Sequence, residues 1–246
     1  MIPKIIHQIW IGPKKRPDMW IDTFRIDYIN KNPEYQYILW NEDNIDPLFN
    51  DFPIYRLVYD LETTYNGKSD ILRYLILYIH GGIYIDADSV WINEKSFDTL
   101  LEQVNESDIF AAKSPDNLEQ LTKKDIKYEN SICGGVMGSS KNNPLMRLLI
   151  EGIEKYITRD WGNQKIAKQD YTRKRRIYGV CELIGPLYLN RTLSNHNITI
   201  FPSIYFYPRS WHNINDCELH TKMDLPIESY TFQYGYSTNN LSDYII

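Results

Sequence analysis

The stretch Lys68-Ser69-Asp70-Ile71-Leu72-Arg73-Tyr74-Leu75-Ile76-Leu77-Tyr78-Ile79-His80-Gly81-Gly82-Ile83-Tyr84-Ile85-Asp86-Ala87-Asp88 decides the fold. Ile71, Leu72, Leu75, Ile76 and Ile79 recur at helical spacing, Ser69 can cap a helix starting at Asp70, and Gly81-Gly82 ends it. A short strand, Ile83 to Ile85, follows at once and runs into Asp86-Ala87-Asp88. Asp70 and Arg73 stand one helical turn apart on a face that is otherwise apolar and must look inward. They read either as a structural bridge or as a pair that holds sugar hydroxyls. Strand alternation sends Tyr84 and Asp86 to one side and Ile83 and Ile85 to the other. Asp86 and Asp88 then converge at the carboxyl edge of a strand, where open α/β sheets bind ligands. Carboxylates this close repel each other unless a proton or a cation lies between them. A hard ion such as Mn²⁺ or Mg²⁺ matches these oxygens and also bridges to phosphate.

Working outward, Ile5 to Ile11 is an apolar run stopped by Gly12-Pro13 and reads as a buried first strand. Trp20 to Asn30 is read as a helix and Tyr35 to Trp40 as a strand, so the chain begins as a doubly wound sheet does. Beyond the central segment, Ile109–Ala112 and Ile132–Met137 are expected strands. A helix is expected from Asn143-Pro144 to about Tyr156, and another over Glu182–Leu193. The basic stretch Lys165–Arg176 is expected to be an exposed loop, and Thr199–Tyr207 a strand. With no internal repeat or low-complexity linker, residues 1–246 are expected to form one α/β domain.

Composition narrows the function. The chain has 246 residues, 43% hydrophobic and 24% charged, an ordinary globular balance. A net charge of −5 gives no general basic surface for nucleic acid. Cys133, Cys181 and Cys217 are widely spaced and odd in number, which suggests reduced thiols rather than a disulfide framework. Neither a signal-peptide apolar region at the start nor a run of membrane-spanning length is recognised, so a cytoplasmic chain is expected. Asp86-Ala87-Asp88-Ser89-Val90 after an apolar strand also suits a haloacid-dehalogenase-type phosphatase, with the first carboxylate as nucleophile. Such a motif usually lies near the start of the chain and is followed by a later acidic pair; here it comes late and no Asp-Asp pair follows.

Ile2-Pro3-Lys4-Ile5-Ile6-His7-Gln8-Ile9-Trp10-Ile11-Gly12, Asn32-Pro33-Glu34-Tyr35 with Trp40-Asn41, and above all the Lys68–Asp88 segment resemble the glycosyltransferases with the sugar-binding DXD region. These include the initiation-specific α-mannosyltransferases, capsule and lipopolysaccharide transferases, and α-1,4-galactosyltransferases, and the glucosylating clostridial toxins carry a similar segment. Ile184-Gly185-Pro186 and the Phe201–Pro208 stretch match more loosely. The resemblance implies a GT-A fold, Rossmann-like, with a mixed central sheet flanked by helices. It also implies a nucleotide-sugar donor, a divalent cation and retention of anomeric configuration, with a UDP-sugar favoured over a GDP-sugar. Residue by residue, it implies that Trp10 stacks on the base, that Asp70 and Arg73 hold the donor sugar, and that Tyr84 and Asp86 hold the ribose. Asp88 would bind the metal, with Asp86 reaching it through water, and Asn130 would lie near the transferred sugar.

The chain departs from this pattern near its end. Relatives commonly finish with a His-x-Trp-x-x-Ser-Trp-like segment that reaches the metal or diphosphate. Here Phe232-Gln233-Tyr234-Gly235-Tyr236-Ser237 stands in that place, leaving Ser237, or His212 beside Trp211, to complete the metal site. His212, Cys217 and His220 are also loosely spaced like a zinc site, a reading three polar-loop residues do not carry. Arg173-Lys174-Arg175-Arg176 has three readings: a solvated face, a mobile grip on the diphosphate, or a contact with an anionic membrane where a lipid-linked acceptor waits. The expected acceptor is a glycan or lipid-linked glycan. The non-catalytic alternative is a degenerate transferase fold that only binds glycan.

Overall fold

The computed structural model describes residues 1–115, 131–157, 163–209, 225–236 and 241. Eight strands are described: β1 (Ile5–Ile9), β2 (Gln36–Trp40), β3 (Gly82–Ile85), β4 (Ser89–Trp91), β5 (Ile109–Lys113), β6 (Ile132–Ser139), β7 (Thr199–Phe201) and β8 (Thr231–Gln233). Six form a mixed sheet in the order β2-β1-β3-β6-β5-β7. The pairs β1–β2, β1–β3 and β5–β7 are parallel, while β6 runs antiparallel to both β3 and β5. β4 and β8 form a separate antiparallel ribbon.

The helices are α1 (Asp18–Asp22), α2 (Ile29–Lys31), α3 (Pro53–Leu61), α4 (Tyr65–Ile79), α5 (Asp98–Leu101), α6 (Pro144–Ile157), α7 (Gln164–Leu183), α8 (Pro186–Leu193) and α9 (Ser203–Phe206). A π-helical turn, Thr23–Tyr28, joins α1 to α2, so the expected Trp20–Asn30 helix is present with a wider central turn. α3, α4, α6, α7 and α8 supply most of the core on one face of the sheet, which includes Tyr84, Ala111 and Met137. Ile83, Ile85, Phe110 and Val136 face the other side, with Phe24, Tyr28, Phe97 and Phe206. The period-2 alternation read from the sequence therefore holds in β3.

Four expectations are corrected. The central helix starts at Tyr65, because Thr64, not Ser69, accepts the Gly67 N–H at 3.2 Å. Thr64 is set for this by Glu62, whose Oε1 accepts both its N–H and its hydroxyl. Lys165–Arg176 is helical rather than a loop: Ala167 and Tyr171 lie four apart and are buried, and Asn163 caps the helix. That apolar stripe is too sparse to stand out among the cations. Thr199–Tyr207 is a strand only to Phe201, since Pro202 lacks the N–H a ladder needs and the chain turns into α9. The helix expected over Glu182–Leu193 breaks at Ile184-Gly185, and Pro186 starts α8.

Candidate active site

β3 ends in a buried set of charges. Arg73, on α4, points its guanidinium to the carboxyl end of the strand. Its Nη1 lies 3.2 Å from Asp70 Oδ1 and its Nη2 lies 3.2 Å from Asp86 Oδ1. The Tyr84 hydroxyl donates to the same Asp86 oxygen at 2.7 Å. Asp70, Arg73, Tyr84 and Asp86 thus form one connected group, as their spacing in the sequence implied. Arg73 is 7% and Asp70 9% exposed, so water contributes little to their solvation.

Asp86 and Asp88 are brought together by β8. The Gln233 side-chain amide donates to Asp86 Oδ2 at 2.9 Å and to Asp88 Oδ1 at 3.1 Å. The Tyr236 N–H donates to Asp88 Oδ2 at 2.7 Å, and the Tyr234 N–H donates to the Asp88 carbonyl at 2.9 Å. From the other side the Gln8 amide reaches the Asp86 carbonyl at 3.3 Å, itself oriented by the Tyr37 hydroxyl.

Burial pushes the Asp70 carboxyl up to about 7, against the attraction of Arg73 and with the repulsion of Asp86 added. Burial pushes Asp88 up to about 6, and the neighbouring Asp86 charge adds to the rise. Arg73 stays cationic: burial opposes its charge, but Tyr84, Asp70 and Asp86 outweigh that cost. Asp88 is therefore a carboxylate whose ionisation a cation would favour. The carboxylate oxygens of Asp86 and Asp88 are donors of the kind that Mn²⁺ or Mg²⁺ takes. Among the described residues no group of three His, Cys, Asp or Glu side chains could hold a metal, so remaining ligands would come from elsewhere.

Two glycines of β6 make room for this group. A Cβ at Gly134 would stand 2.1 Å from Arg73 Nη1, and one at Gly135 would stand 2.8 Å from Asp86 Oδ2. The β5–β6 register shifts here, from Ala111 opposite Met137 to Ala112 opposite Cys133. This irregularity lets the backbone pass close to the charged side chains, and the Gly135 carbonyl accepts the Asp86 N–H at 2.8 Å. The paired glycines inside an apolar run were the sequence signal for it.

Trp10 lies at the same end, partly buried, edge-on to Tyr236 with ring centroids 5.2 Å apart. Its indole N–H donates to the Lys14 carbonyl. Asn130, His212 and Ser237 lie outside the described residues, as do Trp211, Cys217 and His220. The residues that sequence reasoning missed are Gln233, Gln8, Tyr236, Gly134 and Gly135. The phosphatase reading is not favoured: the Asp86 oxygens accept from Arg73, Tyr84 and Gln233.

Residues 17–107 match the family model described as glycosyltransferase sugar-binding region containing DXD motif. Over this segment the chain is similar to that family. The chain is 36% identical over 156 residues to inositol phosphoceramide mannosyltransferase 3 of Schizosaccharomyces pombe, covering 63% of this chain and 38% of that protein. It is 26% identical over 244 residues to the initiation-specific alpha-1,6-mannosyltransferase of Candida albicans, covering 92% of this chain and 61% of that protein. The chain thus spans less than two thirds of the length of these relatives. Among solved structures, the PaToxG glycosyltransferase superposes with a TM-score of 0.50 at 23% identity, over 78% of this chain and 69% of that one. The likeness extends to the fold, and the mixed sheet with its flanking helices is of the GT-A type.

Proposed function

We propose that residues 1–246 form one GT-A domain acting as a metal-dependent, retaining glycosyltransferase. It would move a hexose from a nucleotide-sugar to a glycan or lipid-linked acceptor. The observation that carries this reading is the convergence of Asp86 and Asp88 beside the buried Asp70–Arg73 pair. Mannose is the favoured sugar because the relatives are named as mannosyltransferases. That raises the GDP-sugar, kept second on sequence grounds, to equal standing with the UDP-sugar.

A bound Mn²⁺ or Mg²⁺ would neutralise the charge that develops on the departing diphosphate. Asp88 would hold it, with Asp86 beside it and Ser237 or His212 as the remaining protein ligands. Asp70 and Arg73 would grip the sugar hydroxyls, Tyr84 and Asp86 the ribose, Trp10 the base, and Asn130 the side of the sugar where transfer occurs. Asp70 is paired with Arg73, and both Asp86 and Asp88 are held by Gln233, which favours front-face transfer over a covalent glycosyl intermediate.

The acceptor side is read from α7. Lys165, Lys168, Arg173 and Arg176 line a cavity of about 480 Å³ along one helical stripe, with the exposed Ile177 beside them. A cationic stripe with an exposed aliphatic residue suits an anionic membrane surface carrying the acceptor, each cation adding about 1 kcal/mol. Among the described residues no helix is long and apolar enough to cross a membrane.

A panel of GDP- and UDP-sugars incubated with the protein and Mn²⁺ tests the reading. Turnover of one donor is expected, with a loss of at least roughly 100-fold in Asp88→Asn. Turnover of p-nitrophenyl phosphate without any donor hydrolysis would overturn it.

A further inference from the structure

Gln233 touches both acidic side chains, and it does so from a fixed backbone. Its place on β8 is set by pairing with Ser89, and the next residue's N–H is bound to the Asp88 carbonyl. The residue is 8% exposed. Its amide nitrogen lies on Asp86 Oδ2 and Asp88 Oδ1, so two N–H bonds span two negative oxygens. The carbonyl end of the same amide, Oε1, is buried and has no hydrogen-bond partner among the described residues. It faces the gap over Gly135, 3.4 Å from where a Cβ would stand. A buried amide that uses one end twice and the other not at all is incompletely satisfied.

A cation between the carboxylates would repel the amide N–H bonds and attract a carbonyl oxygen. A half-turn of the amide exchanges nitrogen for oxygen with almost no change of shape. We infer that Gln233 belongs to the cation site: its NH₂ spaces the two aspartates when no cation is present, and its Oε1 ligates the cation when one arrives. This rests on the reading of Asp86 and Asp88 as cation ligands. It adds a neutral ligand at the end of the β4–β8 ribbon, three residues before Tyr236, whose ring meets Trp10.

The test is Mn²⁺ binding to the purified full chain without donor, read by the electron paramagnetic resonance signal of free Mn²⁺. Gln233→Leu is expected to weaken binding at least 10-fold with an unchanged circular dichroism spectrum. Gln233→Glu, which offers a charged oxygen at the same place, is expected to tighten it. Should Gln233→Leu fail to fold, Gln233→Asn, too short to reach, is expected to weaken binding in the same way. Binding of Mn²⁺ by the folded Gln233 variants as tight as wild type, with Asp88→Asn abolishing it, would overturn the role of Gln233 and leave the cation site standing. No binding by the wild-type chain would overturn both.

Discussion

At the scale of single residues, the site depends on what is missing as much as on what is present. Arg73 can reach Asp70 and Asp86 together because Gly134 has no side chain, and an alanine there would overlap Nη1. Gly134→Ala is expected to push the guanidinium off the two carboxylates. Donor hydrolysis should fall roughly 100-fold, the effect of misplacing a binding group by about an ångström. Steady-state kinetics beside a thermal melt would check this, the melt showing that the fold survives. The clustering of these charged residues was legible because their spacing is local: Asp70 and Arg73 are one turn apart, and Tyr84, Asp86 and Asp88 share one strand end. Gln233 was not legible as a partner of the aspartates, since that contact spans 147 and 145 residues of sequence and depends on the ribbon pairing of β4 with β8. A single glutamine in an apolar run gives no sign of what it will meet.

At the scale of elements, α4 and α7 are locked together by one carboxylate. Glu62 is fully buried and accepts from Arg175 at 2.8 and 3.1 Å, from Tyr171 at 2.5 Å, and from Thr64. Burial alone would raise its carboxyl, but these hydrogen bonds, Arg175 foremost, hold it down at about 2. Glu62→Ala strands the partly buried Arg175 and removes the group that sets the Thr64 cap. A loss of roughly 3–5 kcal/mol is expected, the range for breaking a buried pair from one side, and urea unfolding would measure it. Gly185, just beyond α7, lies close to Asp70: a Cβ there would stand 3.2 Å from Asp70 Oδ2, so the end of α7 sits beside the carboxylate paired with Arg73. Strands β1, β2, β3, β5 and β6 and the helices α4 and α6 were readable because dense apolar periodicity makes them so. α7 was not, because its long polar face dominates and its anchoring contact, Arg175 to Glu62, is 113 residues distant.

For the molecule as a whole, β1 carries another buried titratable group, His7. Its Nδ1 accepts from the Trp40 indole at 3.1 Å and its Nε2–H donates to the Gly81 carbonyl at 2.9 Å. Burial keeps it neutral and lowers it to about 4, against the Gly81 bond, with His80 adding to the fall. A group lowered in the folded state contributes stability that is full above the unfolded value near 6.5 and is lost as pH falls through about 4. Asp70 and Asp88 act in the opposite sense: their contribution is present at low pH and lost as pH rises through about 7 and about 6. The difference between wild type and His7→Gln isolates the first term. Its stability gap is expected to shrink as pH drops from 6.5 to 4, read from melting temperatures across that window. The whole-chain topology, with β6 antiparallel between β3 and β5, was beyond the sequence, since pairing order is not written in local patterns.

The proposed cation site is where residue, element and fold meet, and crystals of the protein grown with Mn²⁺ and a nucleoside diphosphate would test it most directly. Anomalous scattering at the manganese edge is expected to place the ion between Asp88 and the diphosphate, with Asp86 beside it. A diphosphate bound without manganese at Asp88, or an ion sited away from both aspartates, would contradict the account.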